Sequence, residues 1–160
     1  MSQILITGGS GYLGSILSEQ LLSQGHKVTV LDNLAFNQRS LFHLCANEDF
    51  DFYIGDARDR EILVPLLKNV EYIIPLAAVV GAPACDKDPY LAESLNFGAI
   101  ETINNLRSKD QKIIFPTTNS GYGTQTAEEY CTEETPMEPI SIYGKTKVRA
   151  EQLLLDSENV

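Results

Sequence analysis

The stretch Ile4-Leu-Ile-Thr-Gly-Gly-Ser-Gly-Tyr-Leu-Gly14 leaves this chain few ways to fold. A short apolar run, Gln3–Thr7, meets Gly8, Gly11 and Gly14, spaced three apart, and a helical pattern follows at once over Tyr12–Gln24. Strand, glycine turn and helix in that order begin a βαβ unit. Each glycine has a task in such a unit. Gly8 permits a tight turn off the strand, Gly11 lets a pyrophosphate approach the backbone, and Gly14 lets the helix pack near the sheet. The first helical amides, at Tyr12 and Leu13, then point N–H groups at the phosphates. The alternative is an ordinary glycine-rich turn; the strand before it and the helix after it favour a dinucleotide cradle.

The rest of the chain alternates in the same way. Lys27–Leu31, Phe50–Ile54, Val70–Leu76 and Lys112–Thr117 are apolar runs that predict four more strands. Between them the spacing predicts helices over Asp59–Lys68 and Pro89–Arg107, with a last one over Ser141–Leu155 and a short turn near Leu41–Cys45. In the first helix Leu13, Ile16, Leu17 and Leu21 form the expected apolar stripe, and Gly25 marks its stop. This alternation predicts an α/β fold: a doubly wound parallel sheet with right-handed crossovers, a Rossmann fold. Ligands of such folds bind beyond the carboxyl ends of the strands.

Candidate contacts therefore belong at strand ends. Asp32 ends the second strand, eighteen residues past Gly14. A carboxylate there accepts hydrogen bonds from the adenosine ribose hydroxyls and repels a 2′-phosphate, which favours NAD over NADP. A solvated aspartate at a turn is the plain alternative, and Arg39 is the nearest cation that a 2′-phosphate could use. Asp56, with the Ala57 backbone beside it, can meet the adenine amino group or cap the next helix; Asp59 can take the capping task instead. Leu76, Ala77 and Ala78 supply small side chains where a flat ring would lie against backbone, or simply pack tightly. Thr117 and Thr118 end the fifth strand, either as hydroxyl donors or as plain β-formers.

The other chemical signal is Tyr143-Gly-Lys-Thr-Lys147. Residues four apart share one helical face, so this spacing can hold an ammonium near a phenol and lower a pKa that is ordinarily about 10. Twenty-two acidic against twelve basic residues give a formal net charge of −10, which argues against nucleic acid and anionic membranes as partners. Cys45, Cys85 and Cys131 lack metal-ligand spacing and read as reduced thiols; no metal site is expected. With no membrane-length apolar run and no basic leader, the expectation is a cytoplasmic protein.

Thr-Gly-Gly-x-Gly-x-x-Gly, an Asp closing strand two, Gly55-Asp-Ala-Arg-Asp59, Leu76-Ala-Ala78, Asn96-Phe-Gly98 and Pro139-x-Ser-x-Tyr143-Gly-x-x-Lys147 follow one another along the chain. The ordered set resembles the extended short-chain dehydrogenase/reductase family, specifically its NAD-dependent nucleotide-sugar epimerases and dehydratases. The resemblance implies NAD as cofactor, a nucleotide sugar as substrate and a homodimer through the 89–107 and Tyr143 helices, although solvated outer faces would explain those helices equally. It implies that Tyr143 is the base on a sugar hydroxyl, that Lys147 holds the nicotinamide ribose, and that Thr118 hydrogen-bonds the reacting oxygen. Asn96 would position the loops after strands four and five.

Departures narrow this further. Dehydratases of the family carry Asp-Glu after the catalytic Thr, whereas this chain has Asn119 and Ser120, so elimination is disfavoured and epimerisation through a transient keto sugar is favoured. A keto-sugar reductase and a non-catalytic dinucleotide-binding protein are the other readings. Pro75 stands where relatives often carry histidine. Val79–Pro89 is expected to line the sugar pocket, with Cys85 as a filler. Members of the family run to about twice 160 residues, so the expectation is an NAD-binding domain over 1–160 without the C-terminal substrate domain.

Overall fold

The computed structural model describes residues 1–124 and 130–157. Five strands, β1 (Gln3–Thr7), β2 (Lys27–Asp32), β3 (Phe50–Ile54), β4 (Tyr72–Pro75) and β5 (Lys112–Ile113), form one parallel sheet in the order β3-β2-β1-β4-β5. β1 lies centrally, with Ile4 opposite Val28 on one side and Tyr72 on the other. Strand order reverses between β1 and β4, and that reversal leaves a crevice at their carboxyl ends. The expected Rossmann fold is what the chain adopts.

The helices are α1 (Tyr12–Ser23), α2 (Arg60–Leu67), α3 (Ala82–Lys87), α4 (Pro89–Glu93), α5 (Ala99–Leu106) and α6 (Ile142–Leu155). They cover both faces of the sheet. Leu5, Leu31, Ile73 and Ile113 point to the face packed by Leu63 and Leu67 of α2, Ile100 and Ile103 of α5, and Ala150 and Leu154 of α6. Their neighbours Ile4, Ile6, Val28, Val30 and Ile74 point to the other, under Leu17, Leu21 and Leu22 of α1 and Leu41. Successive residues of one strand thus serve opposite cores, which is why these strands read as unbroken apolar runs.

Four expectations need correction. In α1 the face turned inward is Gly14, Leu17, Ser18 and Leu21, while Leu13 and Ile16 stay exposed. The small residues draw the helix close to the sheet, and Ser18 Oγ is satisfied by Gly14 O at 2.7 Å. β5 stops at Ile113 rather than running to Thr117, because Pro116 has no N–H for a further rung. The helix predicted over Pro89–Arg107 is interrupted by a π turn, Ser94–Gly98. Within Val79–Pro89 lies α3, too short for a periodic signature and started by Gly81 at φ 86°.

Backbone contact at the glycines fixes the crevice. Gly8 has φ +73°, and a Cβ there would lie 2.5 Å from Ala77 N. At Gly14 a Cβ would lie 2.6 Å from Gly9 Cα. Neither neighbour is a side chain that can swing away. Gly14→Ala is therefore expected to lower the unfolding free energy by about 2 kcal/mol. The check is urea denaturation, with a fall in midpoint at constant slope; an unchanged midpoint would mean that the loop yields freely.

Candidate active site

At the end of β1 the chain turns through Gly8–Gly11 into α1. Among the described residues the amides of Tyr12, Leu13 and Gly14 have no protein acceptor, and the first helical bond from this end runs from Ser15 N to Gly11 O at 3.0 Å. α1 has no acidic residue in its first turn, and its cap, Gly11, has no side chain. Tyr12 is 86% exposed and Leu13 53%. A Cβ at Gly11 would meet only Gly8 O, at 3.3 Å, so the space beyond the loop is open to a ligand. Unpaired amides, a helix dipole and a bare backbone are what a pyrophosphate needs, and the residues present fit a dinucleotide.

The next strand ends are those of β2 and β3. Asp32 Oδ2 accepts from Ser10 N at 2.9 Å and Oδ1 from Leu34 N at 2.8 Å, so the carboxylate is seated beside the glycine turn. Gly55 N donates to Asp32 O at 3.0 Å and brings the β3 exit alongside. There Asp56 is gripped by Arg58, whose Nε donates to Oδ1 at 2.9 Å and Nη2 to Oδ2 at 2.6 Å. These hydrogen bonds hold the Asp56 carboxyl below its ordinary pKa. Arg58 also reaches Ser94 Oγ at 2.9 Å, which ties this loop to the π turn. Asp59, not Asp56, caps α2 by accepting from Glu61 N and Ile62 N. Ala57 is buried beside them.

The exit of β4 joins both halves of the site. Leu76 N donates to Thr7 O at 2.8 Å, and Ala77 lies against Gly8. Buried Asn96 then clasps the next residues: its Oδ1 accepts from Val79 N at 2.8 Å and its Nδ2 donates to Val79 O at 2.9 Å. The same Nδ2 lies 3.4 Å from Thr146 Oγ1, between Tyr143 and Lys147 on α6. Asn96 thus positions the β4 loop as expected, but its second partner is α6 rather than the β5 loop. The π turn carries Asn96, as such turns often do at functional sites. Cys85 is fully buried, and its thiol, raised in pKa by burial, donates to Val79 O at 3.3 Å.

The last component is α6 against the β5 exit. Ser141 caps α6 by accepting from Gly144 N at 3.0 Å. A Cβ on Gly144 would lie 2.6 Å from Ser120 O, so the first turn of α6 sits directly on the 3-10 turn Asn119–Tyr122. Thr118 caps that turn through its Oγ1, which accepts from Ser120 N at 3.2 Å. Tyr143 is half-buried, and Lys147, one helical turn on, is only 6% exposed. Lys147 Nζ lies 3.7 Å from the Phe115 ring centroid. Burial pushes its ammonium from 10.5 down to about 8, against the opposing pull of Glu151.

Residues 4–159 match the model of a family described as "NAD dependent epimerase/dehydratase family". The chain belongs to that family. It is 30% identical to a UDP-glucose 4-epimerase of Neisseria meningitidis serogroup C, over 98% of this chain and 48% of that protein. The UDP-Glc/GlcNAc 4-epimerase of Campylobacter jejuni superposes with a TM-score of 0.89 at 29% identity, covering 98% of this chain and 49% of that one. DesIV of Streptomyces venezuelae, a dTDP-glucose 4,6-dehydratase with NAD and TYD bound, superposes with a TM-score of 0.86 at 26% identity, over 94% and 50%. The chain spans about half the length of the curated relatives it matches.

Asp32, Asp56 and Leu76 follow the carboxyl ends of β2, β3 and β4, Thr117 and Thr118 lie beyond the short β5, and Asn96 links the β4 exit to Thr146 on α6. Sequence reasoning missed Arg58, Phe115 and Glu151. A signal for Glu151 was present, since it continues the four-residue spacing of Tyr143 and Lys147.

Lys147 also governs a measurable response to pH. Its folded pKa of about 8 lies below the ordinary 10.5. Between those values the unfolded chain holds a proton that the folded chain has released, so this group makes stability rise with pH there. Below the window the buried charge costs the fold about 3 kcal/mol. Lys147→Met removes the cost, and its stability advantage over the native chain is expected to shrink from pH 8 to pH 10.5. Paired urea titrations across that range check this; a constant difference would mean a well-hydrated ammonium.

Proposed function

We propose that the protein carrying this chain interconverts epimers of a nucleotide-linked sugar through a transient keto intermediate, with UDP-glucose as the first substrate to test. The observation that carries the reading is the continuous set of contacts from the glycine turn, through Ala77, Val79 and Asn96, to the helix of Tyr143 and Lys147. It supports reading the dinucleotide cradle and the Tyr143/Lys147 helix as parts of one site. NAD, when bound, supplies a hydride acceptor that can return what it takes.

The residues divide the remaining work. Gly8, Gly11 and the amides of Tyr12 and Leu13 hold the pyrophosphate. Asp32 takes the adenosine ribose hydroxyls and discriminates against a 2′-phosphate. Asp56 and Ala57 meet the adenine, and Leu76, Ala77 and Ala78 keep the wall thin where the flat rings lie. Lys147 holds the nicotinamide ribose, and its charge stabilises the phenolate of Tyr143, which removes the proton of the sugar hydroxyl. Thr118 hydrogen-bonds the same oxygen. Neither Asn119 nor Ser120 can act as a carboxylate acid or base, which favours epimerisation over loss of water.

Residues 1–160 are the dinucleotide-binding domain in this reading, and a further domain shares the grip on the sugar. A homodimer through the 89–107 segment and α6 belongs to the same proposal; an open cleft of about 370 Å³ beside them is lined by Glu93, Pro139, Ile142, Lys145, Val148 and Arg149. Among the described residues no helix is long and apolar enough to cross a membrane, and the cysteines are free, in keeping with a cytoplasmic enzyme.

The test is NMR of UDP-glucose incubated with the full-length protein and trace NAD. The C4 epimer is expected to accumulate to equilibrium without net NADH, and Tyr143→Phe is expected to lower kcat about a thousandfold while NAD still binds. Unchanged turnover in that variant would remove Tyr143 as the base. Inert UDP-glucose, with NADH consumed one for one when a nucleotide-linked keto sugar and NADH are supplied instead, would make the protein a keto-sugar reductase.

A further inference from the structure

The exit of β5 has little to hold it. The last rung of the sheet is Ile114 N to Ile73 O at 2.9 Å, and Pro116 cannot donate another. Residues 115–120 instead lie along α6. Phe115 meets Lys147, Ser120 O meets Gly144, and between them Thr117 Oγ1 donates to the Glu151 carboxylate. The first contact sets the Lys147 ammonium over the face of the Phe115 ring, and the second is steric. The third is a directional hydrogen bond to an ionised acceptor, made at the solvent-exposed side of the exit. It falls one residue from Thr118. Glu151 stands at the third step of the ladder Tyr143, Lys147, Glu151, so one helical face carries the base, the ammonium and this anchor.

We propose that Glu151 is a positioning residue of this site: by holding Thr117 it fixes the β5 exit against α6 and so sets where Thr118 stands relative to Tyr143. The inference rests on the proposed roles of Thr118 and Tyr143. Glu151 itself touches neither the cofactor nor the substrate in this scheme; it acts through the backbone of residues 117 and 118, and its charge also favours the ammonium of Lys147.

The experiment compares Thr117→Val, Glu151→Ala, their double variant and Glu151→Gln in the full-length protein. Two readouts are taken: kcat for epimerisation, and hydrogen exchange at Ser120 and Gly121, whose amides bond Thr118 Oγ1 and O. Loss of one hydrogen bond to a charged group is expected to lower kcat and speed exchange by about tenfold in either single variant. The double variant is expected to be no worse than either single one, because both remove the same contact. Glu151→Gln, which keeps an acceptor oxygen, is expected to stay within about threefold of native on both readouts. NAD affinity is expected to be unchanged in Thr117→Val, which leaves the Glu151 charge beside Lys147 in place. Multiplying losses, a Gln variant as poor as Ala, or native exchange in Glu151→Ala would each overturn the proposal. If the native protein shows no epimerisation while exchange responds as described, the functional reading falls and the positioning contact stands.

Discussion

The turn after β1 and the exit of β4 meet backbone to backbone, with Gly8 pressed against Ala77. A methyl group at residue 8 would force the two central strands apart at their carboxyl ends, where the order of the sheet reverses. Everything that makes the crevice follows from that closeness. Ala77 leads directly to Val79, which Asn96 clasps through both amide and carbonyl, and Asn96 leads on to α6. A side chain satisfied on three fronts in the interior is costly to disturb, because each lost partner strands a buried polar group. The cradle and the Tyr/Lys helix are thus parts of one packed unit rather than two features that happen to be near each other.

The electrostatics run against the overall charge. The chain is formally −10, yet the first turn of α1 carries no acid and leaves its amides unpaired, and the cation at the other end of the crevice, Lys147, is buried against an aromatic ring. An ammonium in that setting is held at a desolvation cost that a bound anion or polar ribose would partly offset. Arg58 works in the opposite direction at the exit of β3: its pairing with Asp56 keeps a carboxylate ionised and oriented.

The strands were legible because each serves two cores, which makes Ile4-Leu-Ile and Val28-Thr-Val-Leu unmistakable as buried parallel strands. One cap was legible, since Asp59, offered as the alternative to Asp56, accepts from the first amides of α2; Ser141, read as part of the last helix, proves to be its cap. What escaped depends on contacts far apart in sequence. Nothing in Ser94–Gly98 announces a π turn; it is set by Asn96 bonding to Val79, seventeen residues away. The inward face of α1 escaped because hydrophobicity favours Leu13 and Ile16, whereas close approach selects Gly14 and Ser18. The early end of β5 could be read from Pro116, but the apolar run through Ile114 and Phe115 outweighed it. Of the site, single residues at strand ends were visible; the residues that orient them, Arg58, Phe115 and Glu151, were not.

Asp32 shows what such economy entails. Its two carboxylate oxygens are already occupied by the amides of Ser10 and Leu34, and the second of these supports a leucine at φ 53°, a backbone state that side chains disfavour. The group that would select one cofactor over its phosphorylated cousin is also a brace for the loop that receives either. A lineage or an engineer seeking the other cofactor could not trade this carboxylate alone; the turn at residues 32–37 would have to be redrawn with it.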